Sequence, residues 1–212
     1  MVCNINNVIR DVRVCLDQNM SSEQLLQTDD VDTLSLNDII HSKILEAVIR
    51  VHTDAPTYLL EEGHHFGDAI FWNDLESGWV LLPDDFMRLI VFEMSDWESA
   101  VYTAISTSDP KYKLQRQRIK ALRGTAQKPI CAIVNRPEGK ALEFYSCRSQ
   151  DAYVSKATYI PYPNIDNYGG IDICERCYTA VINCTASLVS GTYGDTPKAE
   201  YFSSLYQSML QQ

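Results

Sequence analysis

An α+β fold is predicted: a helical bundle drawn from both chain ends, with a small antiparallel β-sheet and a long basic extension between them. Three observations predict it. Apolar residues recur three and four apart up to about residue 56 and again from about 171 to 212, the period of amphipathic helices. From about 78 to 160 they fall instead into short runs bounded by Pro and Gly, the pattern of strands. Within that region, from about 106 to 128, lies a polar arm whose stretch from Lys111 to Lys128 carries seven bases and no acid. A chain of 212 residues suits a single domain of this kind, spanning 1–212.

The elements follow in order. Ile5, Val8, Ile9, Val12, Cys15 and Leu16 form one stripe of a helix over Asn4–Asp17. The polar stretch from Gln18 to Asp32 reads as a loop. A second helix opens at Ser35, which can cap it with Asp38 at the third helical position and Leu34 stapling against Ile39. Its stripe is Ile40, Ile44, Ala47, Val48 and Val51, and it stops before Pro56. Thr57 to Ser77 carries no clear period. Val80–Leu82 and Phe86–Met94 read as strands, the second apolar on both alternating sets and so buried on both faces. Asp96–Ile105 is ambiguous between helix and strand. Ile130–Asn135 and Lys140–Tyr145 pair as a hairpin across Arg136-Pro137-Glu138-Gly139, with Leu142 and Phe144 inward and Glu143 and Tyr145 on a wet face. Ala152–Ile160 is a further strand, ended by Pro161 and Pro163. A third helix is expected from about Ile171 to Ser190, closed by Gly191, and a fourth from Thr196 with Pro197 in its first turn.

Composition narrows the function classes. A hydrophobic content of 45% excludes a mainly disordered chain. The longest apolar run, Ile130–Val134, is far short of the ~20 residues that span a bilayer, and asparagines and charges interrupt any signal core at the start. A protein with no membrane partner is expected. Seven irregularly spaced cysteines suit reduced thiols in a cytoplasm rather than a disulfide framework. The net charge of −10 is uneven: residues 1–85 hold 16 acids and 4 bases, residues 86–150 hold 6 and 11, and the remainder 6 and 3. Such a dipolar chain suits neighbours that meet acid to base, and its overall acidity weighs against a dedicated nucleic-acid binder.

No catalytic residue, cofactor or metal is expected. Cys174 and Cys177 make a CxxC, but with Val181, Cys184 and Leu188 they continue one helical stripe in which cysteine acts as a small apolar residue. His64, His65 and Asp68 could ligate zinc, yet adjacent histidines usually point apart and no HExxH is present. Asp29, Asp30 and Asp32 lack the glycine and distal glutamate of a calcium loop. There is no GxSxG, GxGxxG or GxxxxGK. An enzyme built around His64, His65 or the cysteines stays open only as a third reading.

Two segments are interaction candidates. Lys111, Lys113, Arg116, Arg118, Lys120, Arg123 and Lys128 form a basic arm suited to an acidic neighbouring subunit, to passing DNA or to solvent. In the last helix Tyr201, Phe202, Leu205, Tyr206 and Met209 include residue types enriched at interfaces, against the plainer reading of docking onto the chain's own helices.

Several phrases together carry a family resemblance: LSLNDIIHSKILEAV, then GWVLLPDDFMRL, the arginine-rich turn ending in Leu122-Arg123-Gly124, KPICAIVNRPEGKALEFYS, and the two closing helices. They resemble the head-to-tail connector (adaptor ring, or neck) proteins of tailed bacteriophages, of the short-tailed, crAss-like kind. The resemblance implies a structural virion protein, assembled in the host cytoplasm. It would act as a homo-oligomeric ring, usually a dodecamer, that binds beneath the portal and continues the DNA channel towards the tail. Its partners would be itself, the portal protein, further neck or tail ring proteins, and double-stranded DNA passing without sequence specificity. It makes the basic arm and the last helix the interface elements and carries over no catalytic residue. The alternative is a DNA-binding or packaging accessory protein that uses the 111–128 stretch.

Overall fold

The computed structural model describes residues 2–17, 35–60, 63–74, 76–115, 117, 119 and 122–211. In chain order the elements are β1 (Val2–Asn4), α1 (Ile5–Cys15), α2 (Leu36–Asp54), β2 (His64–His65), β3 (Ile70–Trp72), β4 (Gly78–Leu81), β5 (Phe86–Met94) and β6 (Ile105–Ser106). Then come α3 (Pro110–Gln115), β7 (Cys131–Arg136), β8 (Gly139–Phe144), β9 (Val154–Pro161), β10 (Gly170–Asp172), α4 (Tyr178–Thr192) and α5 (Thr196–Leu210). They form two compact units: Met1–Glu61 with Pro163–Gln212, and Glu62–Tyr162 between them.

The expected helical bundle with one small antiparallel sheet is overturned. Among the described residues there are three sheets, of two, three and five strands, ordered β1-β10, β2-β9-β5 and β3-β4-β8-β7-β6. The largest is mixed, because β6 pairs parallel with β7. The missed strands β1, β2, β3, β6 and β10 are two or three residues long. An alternation needs about four residues to be read, so these strands leave no local signature.

In the terminal unit, local chemistry and structure agree closely. Asn4 caps α1 by accepting from the Asn6 N–H at 2.9 Å. Ser35 and Asp38 complete a reciprocal capping box on α2, each side chain accepting from the other's backbone N–H at 3.2 Å. All five residues of the α2 stripe are fully buried, and Ala55 ends the helix with its N–H on the Val51 carbonyl. The central helix is α4, which packs on α1, α2 and α5. The expected start of that helix at Ile171 is corrected to Tyr178. Ile171 instead pairs with Cys3 in the two-stranded sheet, and Glu175–Cys177 form a single 3₁₀ turn. The helix also runs through Gly191; the chain reverses at Gly194, with φ +76°, and Asp195 caps α5 through the Lys198 N–H. No described helix is long and apolar enough to cross a membrane.

In the inserted unit, β5 runs over Phe86–Met94 and β7 and β8 form the expected hairpin. Three bulges interrupt the pairing of β5 with β9, so burial along β5 is not a strict alternation. One face of the five-stranded sheet joins β5 and β9 in a core centred on Phe92, Phe144, Leu142 and Met94. The expected wet face of β8 is corrected: Glu143 and Tyr145 are only 5% and 7% exposed. Tyr112 of α3 packs over that side, which therefore forms a second apolar layer with Trp79, Ala132, Val134 and Ala141.

Candidate functional site

The base-rich segment is anchored to the inserted unit at its two ends. It begins as α3, opened by Pro110 after Asp109, whose side chain accepts from the Lys111 N–H at 2.8 Å. Two residues of this short helix face the sheet. The Tyr112 hydroxyl donates to Glu143 Oε2 at 3.4 Å, and Gln115 is buried. Gln115 donates to the Lys111 carbonyl at 2.9 Å and accepts from the Gly124 N–H at 2.8 Å. The return arm is held again where Arg123 pairs with Glu76 at 3.2 Å. Residues 115 and 124 are thus tied together, and the long basic extension expected from the sequence begins as a short helix whose last residue is held to Gly124. The physical reason is that Gln115, polar and unremarkable in sequence, satisfies two backbone groups at once.

Glu143 anchors this device. Phe71, Trp79, Glu143, Ala132 and Ile105 stand opposite one another across the five strands and so share one face. The Glu143 carboxylate accepts from Arg136, from the Tyr145 hydroxyl at 2.5 Å and from Tyr112. The Arg136 guanidinium also lies 4.6 Å from the centre of the Trp79 ring, and Phe71 stacks on the other ring at 4.2 Å with 13° between planes. A carboxylate this deep needs a charge partner and donors, and it has all three. Neither Glu143 nor Gln115 was singled out in the sequence, because only tertiary contact gives them partners.

Of the seven candidate bases, Lys111, Lys113 and Lys128 are exposed and have no acidic partner among the described residues. Arg123 is committed to Glu76. Arg116, Arg118 and Lys120 lie outside the described residues. Ile119 and Leu122 stand exposed among these bases, so the surface is apolar as well as cationic. In the last helix Phe202 and Tyr206 are buried, with Leu210, on the side that packs against α4. Met209 lies near Asn183 of α4, with its Sδ 3.7 Å from the amide nitrogen, and Leu205 is half-buried. Only Tyr201 of the five is open to solvent.

The other candidates are placed as follows. His64 meets the Tyr159 ring edge-on at 5.9 Å, while His65 and Asp68 line a cleft of about 350 Å³. Among the described residues no three His, Cys, Asp or Glu side chains gather as a metal-ligand set. All seven cysteines are free thiols. The Cys174 thiol donates to the Leu59 carbonyl at 2.9 Å, and Cys177 is buried at the start of α4. Burial pushes the Cys147 thiol up to about 12, helped by neighbouring Asp96, and it pushes Cys131 in the same direction. Both are held in the thiol form, the less nucleophilic one, by their burial. No protein-family model matches this chain, and no curated protein matches it.

Proposed function

We propose that this chain is a structural virion subunit that forms an oligomeric ring beneath the portal, joins capsid to tail and continues the DNA channel. The observation that carries the reading is a division of charge. The terminal unit holds 15 acids against 6 bases, while the inserted unit holds 13 against 12 and presents Lys111, Lys113 and Lys128 without acidic partners among the described residues. A closed ring needs heterologous contacts, in which one surface of a subunit meets a different surface of the next. One acidic unit and one cationic, partly apolar segment on the same chain supply two such unlike surfaces. What supports a place in the virion is the resemblance to phage adaptor proteins drawn from the sequence.

The test is a cryo-electron microscopy map of the neck of virus particles that carry the chain, with symmetry examined rather than imposed. A ring of this chain below the portal is expected, and its absence from the neck overturns the proposal. At residue level, Lys111→Glu with Lys113→Glu should reduce assembled particles severalfold; unchanged yield removes the basic surface from the interface.

A second reading, as a DNA-binding or packaging accessory protein, is favoured by the seven bases without an acid between Lys111 and Lys128. It requires duplex binding whose logarithm falls steeply and linearly with the logarithm of salt concentration. Fluorescence anisotropy on duplex DNA separates the two, because the ring reading expects little affinity for free DNA.

A further inference from the structure

Two features lie outside the basic surface: an exposed aromatic side chain on the terminal unit and an open cleft on the inserted one. Tyr168 is 93% exposed, more than any other large hydrophobic residue among those described. Its loop is not slack. Asp166 Oδ1 accepts from the Tyr168 N–H at 2.8 Å and from the Gly170 N–H at 2.7 Å. The Asp166 N–H donates to the Gly170 carbonyl at 2.9 Å, and the Gly169 carbonyl accepts from the Ile5 N–H at 2.8 Å, on the first residue of α1. Gly169 takes φ +74°, which a side chain would resist. The turn therefore holds an aromatic side chain out from the terminal unit, with little backbone entropy left to lose on binding.

The inserted unit carries a receptor of suitable size. Strand β2 pairs with β9 only at His64–Tyr159 and His65–Thr158, and Phe66 adds one hydrogen bond to Ala157. Gly67, at φ +92°, packs against Val154 and Ala157 of β9, and a cleft of about 350 Å³ is lined by these residues together with Asp68 and Ile70. Its base is apolar, from Phe66, Val154 and Ala157, and its rim offers His65, Asp68 and Lys156. Tyr153, 66% exposed, adds an aromatic ring at the edge. The volume lies at the lower limit of ligand pockets, roughly 300–1,000 Å³, which suits a single aromatic side chain with its flanking backbone. An apolar floor takes a ring, and polar groups at the mouth satisfy a phenol hydroxyl.

Resting on the ring reading, we propose that Tyr168 of one subunit inserts into this cleft of the next, with Asp166 brought against Lys156. The contact is heterologous, since knob and hole are different surfaces of one chain, and repetition around an axis builds a ring. Charge supports the pairing at one point: the acidic unit supplies the knob with Asp166 beside it, and Lys156 at the mouth of the hole can meet that carboxylate, provided the knob enters on the side of the rim away from Asp68. A central aromatic anchor of this kind behaves as a hot spot, so its truncation weakens association about thirtyfold or more.

The test uses the full chain in sedimentation velocity: wild type, Tyr168→Ala, Ser155→Trp to fill the hole, and an equimolar mixture of the two variants. Both positions are exposed, so circular dichroism should show unchanged folding. Wild type is expected to associate beyond the dimer, and each variant alone to remain a monomer. The mixture should form dimers and stop, because one knob and one hole survive between the two variants. Wild-type association that neither variant disturbs overturns this contact and leaves the ring intact. Variants that lose association but fail to pair when mixed overturn the knob-and-hole geometry. A wild-type chain that stays monomeric at every concentration overturns this contact as a self-sufficient one, while the map of the neck decides the ring separately.

Discussion

The two units bury their cores with different residues. The terminal unit holds five of the seven cysteines, and its central helix faces its neighbours with Ala180, Val181, Cys184, Ala186 and Val189. The inserted unit holds five of the six phenylalanines and all three tryptophans. Small side chains let helices approach to about 8–10 Å, whereas a layer between sheets spans about 10 Å and must be filled from both sides. In the inserted unit that filling converges on one ring. Phe92 lies 6.0 Å from Phe66, 5.7 Å from Trp97 and 6.0 Å from Phe144. Stability is therefore spread over many small contacts in one unit and concentrated in a few large ones in the other.

The largest expected effect breaks that concentration. Phe92→Ala should cost the inserted unit about 3–5 kcal/mol, against about 2 kcal/mol for Val48→Ala in the α2 stripe. The distribution of tryptophan separates the two readouts: indole fluorescence follows the inserted unit, while helical circular dichroism follows mainly the terminal one. Phe92→Ala should move the fluorescence midpoint in denaturant much further than the helical one. Equal shifts would mean that the two cores unfold as a single cooperative block.

Cysteine reactivity sharpens the same comparison. Burial pushes Cys147 to about 12 in the inserted unit and Cys184 to about 11 in the terminal one, from an ordinary value of 9.0. At pH 8 their thiolate fractions fall roughly a thousandfold and a hundredfold below those of open cysteines. A disulfide reagent should then reach them only after local opening. Phe92→Ala should speed labelling of Cys147 and leave that of Cys184 unchanged; equal acceleration would again join the two cores.

A smaller effect tests the buried carboxylate. Glu143→Gln keeps an oxygen for Tyr112 and Tyr145 but removes the charge that faces Arg136. The cost should be about 2–3 kcal/mol, below that of breaking a fully buried pair, because the Arg136 side chain keeps 24% exposure and its stack on Trp79. Proteolysis should cut faster near Lys111 and Lys113 as Tyr112 loosens. An unchanged cleavage rate would show that Gln115 and the Arg123–Glu76 pair hold α3 in place without Glu143.

What was legible in the sequence follows from how local each signal is. The α2 helix could be read nearly to the residue, because its capping box, its stripe and Pro56 all act within one or two turns. The strand β5 and the β7–β8 hairpin were legible from apolar runs and a Pro-Glu turn. By contrast, β2 owes its existence to Tyr159 and Thr158, almost a hundred residues away, and β10 to Val2–Asn4. Glu143 looked wet because Leu142 and Phe144 occupy the other side; its cover comes from Tyr112, 31 residues upstream. The candidate bases were visible as composition, but which of them remain unpaired depends on Glu76, far from them in sequence and adjacent in the fold. The spacing of Phe202, Tyr206 and Leu210, four apart, marked one face of a helix without saying whether it docks on its own unit or on a neighbour; the fold buries these three, half-buries Leu205 and Met209 and leaves Tyr201 exposed.

The smallest expected effect concerns the turn at Asp74, beside the residue that pairs with Arg123. Asp74 Oδ1 accepts from the N–H groups of Glu76 at 2.8 Å and Ser77 at 2.7 Å, beside the Arg123–Glu76 pair. Partial burial pushes its carboxyl upward, but donation from Glu76 and Ser77, with Arg123 nearby, outweighs this and holds it below the ordinary value of 3.8. A group whose folded value is depressed stabilises the fold above its unfolded value, and that contribution disappears as pH falls through the folded one. The loss therefore belongs to the acid side, from about pH 4 downward. Asp74→Asn retains an oxygen for both N–H groups and cannot ionise, so its unfolding free energy should fall less steeply between pH 5 and pH 3 than that of wild type. Parallel slopes would show that the turn is held by its hydrogen bonds alone. The capping box of Ser35 and Asp38 offers the matched control in the terminal unit, since Asp38→Asn there should leave the fluorescence transition of the inserted unit unmoved at either pH.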